Sequence, residues 1–574
     1  MKKNWHLMDA DAGTVRALTD SLRCHPVVAA VLANRRLDSV EKAQAFLNAS
    51  LSQLRPPTSL KDLDKAVHRI ARAITAGENI LLFGDYDVDG TTATAVLLEF
   101  LKTCGARVSY YIPHRLKEGY GLQPRHMAEV AVPRQTSLMI TVDCGSGSHA
   151  AVNAARAAGI DVIITDHHNM PATLPAAVAV INPKRRDCPS GLEHLAGVGV
   201  AFCLAIALRK HLRDNRFWEG RAEPNLRSLC DLVALGTIAD MVPLLEDNRI
   251  LAKAGLELIS STQRPGLVAL IEACGISNRP AEAEDVAFRL GPRLNAAGRL
   301  DHAGLSVELL TTDRMDTARE LAQTLNTLNV GRQELEKGIL ADIDATVRRQ
   351  PEMLARRTLV FAQPGWHEGV IGVVASRVVE RYYRPVVLIA LKGDEGRGSA
   401  RGIPGIDLYD CLAACDAHLE ALGGHVQAAG LRVKTGSLPA FQLAFEEAVR
   451  SVSGPEVFIP SIAIDAVLNF EEIAEELVDQ LESLMPYGSG NPEPLFMARD
   501  VAVVSSTWVG NNHRRMTLRQ PGRGAGVSLK AIQFNADPGS AAQTHFARMT
   551  FKLRWNRWNN SRTVQLVVEN VASA

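Results

Sequence analysis

The stretch ILLFGDYDVDGTTATAVLLEFL, residues 80–101, decides the fold class. A continuous apolar run, ILLF (80–83), stops at Gly84, and an Ala- and Thr-rich helical stretch follows after a short acidic segment. The same alternation continues to residue 182. VSYYI (108–112), LMITV (138–142), VIIT (162–165) and AVAVI (177–181) are strand-like, with helical stretches such as HAAVNAARAAG (149–159) between them. Strands that are apolar on both faces and alternate with helices form parallel βαβ units. Sheets of that kind bind ligands beyond the carboxyl ends of their strands.

Outward from this core, residues 194–350 read as mostly helical. Thr312 to Arg349 has few breakers and a repeated apolar spacing. It predicts either a long helix or helix pair bridging two domains, or an ordinary core helix pair. A second, smaller α/β alternation starts at Leu359 and ends near residue 455. Short strand-like runs follow, among them VAVVSSTWV, RMTLR, VSLKAIQF, RMTFKLRW and TVQLVVENV. That spacing predicts a small β-barrel or sandwich. The expected organisation is an N-terminal extension (1–65), a parallel-sheet α/β domain (66–250), a helical connector (251–350), a smaller α/β domain (351–455) and a β-domain (456–574). Residues 1 to about 60 carry no recognisable chemistry.

Composition narrows the function classes. The 574 residues hold 63 Lys+Arg against 63 Asp+Glu, and 47% are apolar. This excludes a histone-like polycation, a disordered chain and a coiled-coil rod. A local basic surface remains compatible with nucleic acid. The nine cysteines form no CxxC pair, which argues against a zinc ribbon and for reduced thiols. The start, MKKNWHLMDADAG, lacks an apolar signal core. The longest apolar stretch, Ala196 to Leu208, is too short to span a bilayer. A soluble cytoplasmic protein without membrane contact is expected.

The chemistry sits at strand ends. Asp85, Asp87 and Asp89 follow the first strand at a spacing of two, on one side if the segment is extended. Asp143 ends LMITV, Asp166-His167-His168 follows VIIT, and Asp240 closes a helical stretch. A lone Asp at a strand end is ordinarily a helix cap or turn former. Several converging on one sheet edge are not accounted for that way. Two bare carboxylates about 4 Å apart repel by about 4 kcal/mol at an effective dielectric of about 20. Such a cluster needs protons or cations, and divalent metal is the simpler answer at neutral pH. Carboxylates with imidazole suit Mn²⁺, Mg²⁺ less well, with zinc as a competitor. A calcium loop is excluded because Val96 stands at the twelfth position from Asp85. No GxxxxGK[ST] loop and no Ser-His-Asp nucleophile elbow occurs. Two ions can clamp the attacking and leaving oxygens of a phosphoryl displacement, and hydrolysis by a metal-activated water is the simplest chemistry.

These residues resemble the DHH phosphoesterase superfamily. DxDxDG (85–90), VDCG (142–145), DHH (166–168) and GTIADMVPL (236–244) match its four motifs in order. GPRLNAAGRLD (291–301), WHEGVIG (366–372), GSARGI (398–403), GGHVQAAG (423–430) and GSGNPEPLF (488–496) narrow the resemblance to the RecJ family of bacterial single-strand-specific 5′→3′ exonucleases. The resemblance runs from about residue 60 to the C-terminus. It implies a DHH domain, joined by a long helix to a DHHA1 domain, and an OB-type barrel. It also implies two ions, Mn²⁺ or Mg²⁺, held by Asp85, Asp87, Asp89, Asp143, His167 and Asp240, with Asp143 as the bridge. His168 is implied to contact the scissile phosphate, and Asp166 to orient an imidazole. One departure stands out: many superfamily members carry a His four residues before Asp87, where this chain has Phe83.

Substrate contacts are expected in the second α/β domain. Ser399 and Arg401 can hold a phosphate. Gly423 and Gly424 allow close backbone approach beside His425, although a glycine turn with a core His is the plainer alternative. Arg293, Asn295 and Arg299 are candidates for the same cleft, or else a solvated helix end. From Ser505 onward, ten Lys/Arg face two Asp/Glu, and Trp508, Phe534, Phe551, Trp555 and Trp558 are interspersed. A basic barrel with stacking rings suits single strands. Phe534 and Phe551 read as core residues, leaving Trp555 and Trp558 in RWNRWNN (554–560) as the stacking candidates. The resemblance further implies single-stranded DNA as substrate, with single-stranded-DNA-binding protein and a RecQ-type helicase as partners, and the architecture suggests a monomer. Two alternatives compete: a phosphodiesterase of short oligoribonucleotides or cyclic dinucleotides, which usually lacks the basic barrel, and a non-catalytic DNA-binding scaffold, in which metal carboxylates are lost.

Overall fold

A computed structural model describes residues 3–276, 279–510, 512–521, 526–537, 543–558 and 561–572; the side chain of Trp558 lies outside what is described. The chain divides into two compact units. One holds Arg55–Val242 and Ala254–Pro460, the other Lys3–Leu54, Pro243–Lys253 and Ser461–Ala574.

The first unit contains the expected parallel sheet. Its strands are β1 (Asn79–Gly84), β2 (Arg107–Tyr111), β3 (Leu138–Val142), β4 (Asp161–Thr165) and β5 (Ala179–Ile181). They lie in the order β2-β1-β3-β4-β5, all parallel. Every residue of β3 is buried, as an apolar run covered on both faces requires. Helix α1 (Val88–Thr103) follows β1, and Val88 through Leu98 are all buried in it. Its small side chains admit α2 (Gly197–Asp214) and α3 (Cys230–Ala239) at close range. A Cβ on Gly236 of α3 would come within 2.4 Å of Thr92 Oγ1.

After α4 (Gly291–Leu300), one uninterrupted 35-residue helix, α5 (Met315–Arg349), leads to the second sheet. At 1.5 Å per residue it is about 52 Å long. The long-helix reading of 312–349 is therefore the observed one. The second sheet comprises β6 (Leu359–Pro364), β7 (Val386–Lys392), β8 (Glu395–Arg401), β9 (Ala421–His425) and β10 (Ala428–Lys434), in the order β9-β10-β8-β7-β6. Only β6 and β7 pair in parallel. Helix α6 (Glu368–Tyr382) packs on β7 and β8.

The second unit is built on a barrel of β11 (Phe496–Val509), β12 (His513–Gln520), β13 (Val527–Gln533), β14 (His545–Trp558) and β15 (Ser561–Ala572). β11 pairs with β14 through its first half and with β12 through its second, so the sheet closes and its main edges disappear. Phe496, Phe546, Phe551 and Leu566 fill the core. Leu18, Val28, Leu32 and Phe46 join the same core. Residues 3–54, which carry no chemistry in the sequence, are thus structural members of the barrel unit. Arg249, 1% exposed, donates to the carbonyls of Phe46, Leu484 and Met485 there. Among the described residues, no helix is long and apolar enough to cross a membrane.

Candidate active site

β1, β3 and β4 are neighbours, so the residues just past their carboxyl ends meet. Asp85 follows β1, Asp143 follows β3, and Asp166, His167 and His168 follow β4. Asp240 joins them from the C-terminus of α3. The DxDxDG segment is not extended, which corrects the simple alternation expected for it. Asp87 is the N-cap of α1 and accepts from Gly90 N at 3.0 Å, while Asp89 lies in the first helical turn. The ordinary capping role of an Asp and its place in the cluster coincide here.

Asp89 accepts from Gly197 N at 2.6 Å and Val198 N at 2.8 Å, at the N-terminus of α2. A helix N-terminus favours the anion there. Gly197 is required by contact: its Cβ would lie 2.4 Å from Asp143 Oδ1. Asp143 has φ +63°, a left-handed conformation uncommon for a side-chain-bearing residue. His167 Nε2 stands 3.2 Å from Asp143 Oδ1, 3.6 Å from Asp89 Oδ2 and 3.6 Å from Asp240 Oδ2.

These are not ion pairs. Burial, with the neighbouring His168 charge, drops His167 to about 3, so its ring is neutral. Burial and the adjoining carboxylates push Asp89 up to about 7 and Asp240 to about 9, and hold Asp85 and Asp143 well above the usual carboxylate range. Among the described residues, buried Asp85 Oδ1 and Asp143 Oδ1 accept no hydrogen bond. Crowded carboxylates without donors, facing a neutral imidazole, are the donor set of a divalent cation. Ligand atoms come within 4.8 Å of one another in three overlapping groups: Asp85/Asp87/Asp143, Asp89/His167/Asp240 and Asp143/His167/His168. Asp143 and His167 are each shared by two groups. Phe83 is fully buried and its ring lies 4.9 Å from that of His126, so it offers no ligand.

Asp166 behaves differently from the other carboxylates. It accepts from Ser146 N at 2.9 Å, His167 N at 2.8 Å and His168 Nδ1 at 2.8 Å. Although burial opposes it, the His168 contact leads the effects that hold Asp166 far below the usual range. Burial also opposes charge on His168, but Asp166 overcomes this and raises the imidazole to about 9. His168 thus spends Nδ1 on Asp166 and keeps Nε2 for another partner. Asn182, just past β5, donates to His168 O and Ser146 Oγ.

A cluster of guanidinium groups stands opposite in the same unit. Arg299 ends α4 and donates to Gly369 O at 3.3 Å in the first turn of α6. Burial and the charges of Arg115, Arg332 and Arg401 lower it to about 9. Arg401 donates to Ser399 Oγ at 3.1 Å. A Cβ on Gly372 of α6 would meet Ser399 Oγ at 2.9 Å and Arg401 Nη2 at 3.0 Å. Arg115, whose guanidinium lies 4.7 Å from the Tyr86 ring centre, was not singled out by sequence reasoning. Neither was Tyr120, half exposed, with its hydroxyl 3.3 Å from His168 Nδ1. Both lie in a loop whose residues follow no periodicity.

The remaining candidates separate. Asn295 accepts from Val88 N at 3.2 Å and so props the DxDxDG loop. Arg293 bonds Asn326 and Arg289 O along the helices. Gly423, Gly424 and His425 are exposed on the edge strand β9, and His425 Nδ1 accepts from Gln427 N and Ala428 N.

The barrel corrects two expectations. Trp555 is 6% exposed, donates to Asp479 and is covered by Arg562 at 4.2 Å, so it presents no face to a base. Trp558 lies outside the described side chains. Phe551 is buried as expected, but Phe534 is 52% exposed and Trp508 41%. The basic excess is also partly offset: Arg554 pairs with Glu493, Arg557 with Glu482 and Arg562 with Asp479, acids supplied from before Ser505. Arg515, Arg519 and Lys530 are exposed cations on β12 and β13, within the same small barrel as Trp508 and Phe534.

Comparison with known proteins agrees with this architecture. The family models for the DHH family N-terminal domain, the DHHA1 domain and the RecJ OB domain match residues 79–237, 355–451 and 464–570. The chain is 38% identical over 563 residues to the single-stranded-DNA-specific exonuclease RecJ of Escherichia coli, covering 95% of this chain and 96% of that protein. It is 36% identical over 579 residues to that of Bacillus subtilis, covering 100% and 71%. The crystal structure of RecJ in complex with Mn²⁺ from Thermus thermophilus superposes with a TM-score of 0.84 at 30% identity, covering all of this chain and 80% of that one. A Mg²⁺ complex from the same source gives 0.78 at 29% identity. With the catalytic, DHHA1 and barrel domains all matched in order, the chain belongs to the RecJ family of single-stranded-DNA-specific exonucleases.

Proposed function

We infer that this chain is a metal-dependent exonuclease that degrades single-stranded DNA from its 5′ end to mononucleotides. The observation that carries this reading is the pair of groups Asp85/Asp87/Asp143 and Asp89/His167/Asp240, linked by a third group in which Asp143 and His167 lie together. Two Mn²⁺ or Mg²⁺ ions, when bound there, supply an activated water at neutral pH and offset charge on the phosphate. Asp143 would hold an ion with Asp85 and Asp87, and its Oδ1, 3.2 Å from His167 Nε2, stands beside the second group. His168, held by Asp166, directs Nε2 at a non-bridging oxygen of the scissile phosphate. Ser399 and Arg401, with Arg299 and Arg115, cradle the terminal 5′ phosphate. Bidentate guanidinium groups suit that dianion. Holding the strand by its end accounts for exonucleolytic polarity. The exposed rings of Trp508 and Phe534 take unpaired bases of the trailing strand, with Arg515, Arg519 and Lys530 near its backbone.

A monomer in the cytoplasm, working beside single-stranded-DNA-binding protein and a RecQ-type helicase, fits this activity. The test uses 5′- and 3′-labelled oligonucleotides, single- and double-stranded, DNA and RNA, with Mn²⁺, Mg²⁺ or EDTA. Metal-dependent mononucleotide release from the 5′ end of single-stranded DNA is expected. Cleavage of short RNA alone, or binding without cleavage in every metal, overturns the reading.

A further inference from the structure

The buried positions of α5 are Ala318, Ala322, Leu325, Asn329, Arg332, Glu336, Ile339 and Ile343. Their spacing alternates four and three, the stripe of a helix packed along one side. Its centre is polar: Asn329, Arg332 and Glu336 occupy places that apolar side chains fill on either side. Glu336 is fully buried, and burying a carboxylate is costly unless it is paired. It is paired twice. Arg332, one turn earlier, contacts Oε1, and Arg377 of α6 reaches Oε2 at 2.8 Å. Arg332 Nη2 also donates to Asn329 Oδ1 at 2.8 Å.

The three helices meet in a defined register. Arg293 of α4 bonds Asn326 of α5 at 2.9 Å, and Leu300 packs on Gly331. Arg299 is therefore level with Arg332. The first turn of α6 abuts Arg299 so tightly that a Cβ on Gly369 would lie 2.3 Å from Arg299 O. One turn on, Gly372 touches Ser399 and Arg401. Two turns on, Arg377 reaches Glu336.

We propose that Glu336 is a positioning residue for the phosphate cradle. By pairing with Arg332 on its own helix and Arg377 on α6, its carboxylate fixes the slide of α6 along α5. That slide sets Arg299, on one side of the cradle, against Ser399 and Arg401 on the other. The inference rests on the terminal-phosphate reading above. Glu336 touches no substrate and leaves the metal groups alone, so it acts on recognition of the strand end and not on the chemical step.

The test compares oligothymidylates bearing a 5′ phosphate or a 5′ hydroxyl, with kcat and KM for each. Glu336→Gln and Arg377→Met should raise KM for the phosphorylated strand about tenfold, the loss of a charged hydrogen bond's worth. KM for the hydroxyl strand and both kcat values should stay near wild type. Arg377→Lys should restore part of the difference. The Arg377 side chain is 47% exposed, so these variants keep the fold if Glu336→Gln does not. Equal shifts for both strands, or an unchanged KM ratio in both variants, overturns the inference while leaving the cradle intact. A wild-type ratio of one, unaffected by Arg401→Met, overturns the cradle reading and this inference with it.

Discussion

Asp143 Oδ1 and His167 Nε2 lie 3.2 Å apart, both buried, and the imidazole between the carboxylates is neutral. Asp143→Asn keeps the side-chain shape, and Asn tolerates the positive φ that Ala strains. Loss of a shared metal ligand removes several kcal/mol of transition-state stabilisation. Cleavage should fall about a thousandfold, with binding of single-stranded DNA retained. Without metal, the variant should melt higher than wild type, because one member of a mutually repelling set is neutralised. Near-normal cleavage by this variant would remove Asp143 from the metal centre.

The pH response of the metal-free protein has a definite sign. Asp89 is raised to about 7, Asp240 to about 9 and His168 to about 9. A group whose folded pKa exceeds its unfolded one contributes stability that is complete below the unfolded value. That contribution is lost as pH rises through the folded value. His167, lowered to about 3, works in the opposite direction only below its ordinary value. In EDTA the melting temperature should therefore fall between about pH 7 and pH 9. Saturating Mn²⁺ favours the deprotonated carboxylates and should flatten or reverse the slope. Thermal melts at three pH values in each condition decide it; parallel curves count against the site.

Gly197→Ala places a methyl 2.4 Å from Asp143 Oδ1 and 2.7 Å from its Cβ. The carboxylate must move, and a displacement near 1 Å costs about a hundredfold in rate. The effect should appear in kcat, with KM for the strand little changed. A substitution without kinetic effect would show that Asp143 tolerates displacement.

Within the barrel, two kinds of tryptophan should separate. Trp555→Ala opens a buried site and should cost about 3–5 kcal/mol of stability in denaturant unfolding. Trp508→Ala and Phe534→Ala should leave stability unchanged and weaken binding of long strands by about 1–3 kcal/mol per lost stacking contact. Unaltered affinity in the Trp508 and Phe534 variants would move strand binding off those two rings.

Much of the catalytic unit was legible because its signals are local. Apolar runs ending in Asp mark parallel strands, and strand adjacency then brings Asp85, Asp143 and His167 together. Asp166 followed from the same motif. Arg115 and Tyr120 were not legible, because they lie on an irregular loop and matter only through what stands across from it. Phe534 stands in the turn just past β13, outside the strand alternation, and Trp555 was misassigned through the phase of that alternation. Barrel strands expose one face and bury the other, and Trp555, opposite Val564 of β15, falls on the buried one. Nor could sequence reveal that Glu475, Asp479, Glu482 and Glu493 would offset the arginines after Ser505, since those ion pairs span 60 to 90 residues. The polar centre of the α5 stripe carries no sequence signal of its own, because the pairing of Glu336 depends on Arg377 of another helix.

The barrel unit draws its core from both early and late chain. Leu18, Val28, Leu32 and Phe46 emerge first during synthesis, yet their partners Phe496, Phe546, Phe551 and Leu566 follow 450 to 548 residues later. At roughly 5–20 residues per second the first helices wait about 20–110 s for a surface to cover them. Their apolar faces are open to chaperones throughout that interval, while the parallel-sheet unit between them can already fold. The barrel unit is therefore the last part of the enzyme to mature, and a chain halted before it would carry nuclease motifs without the barrel.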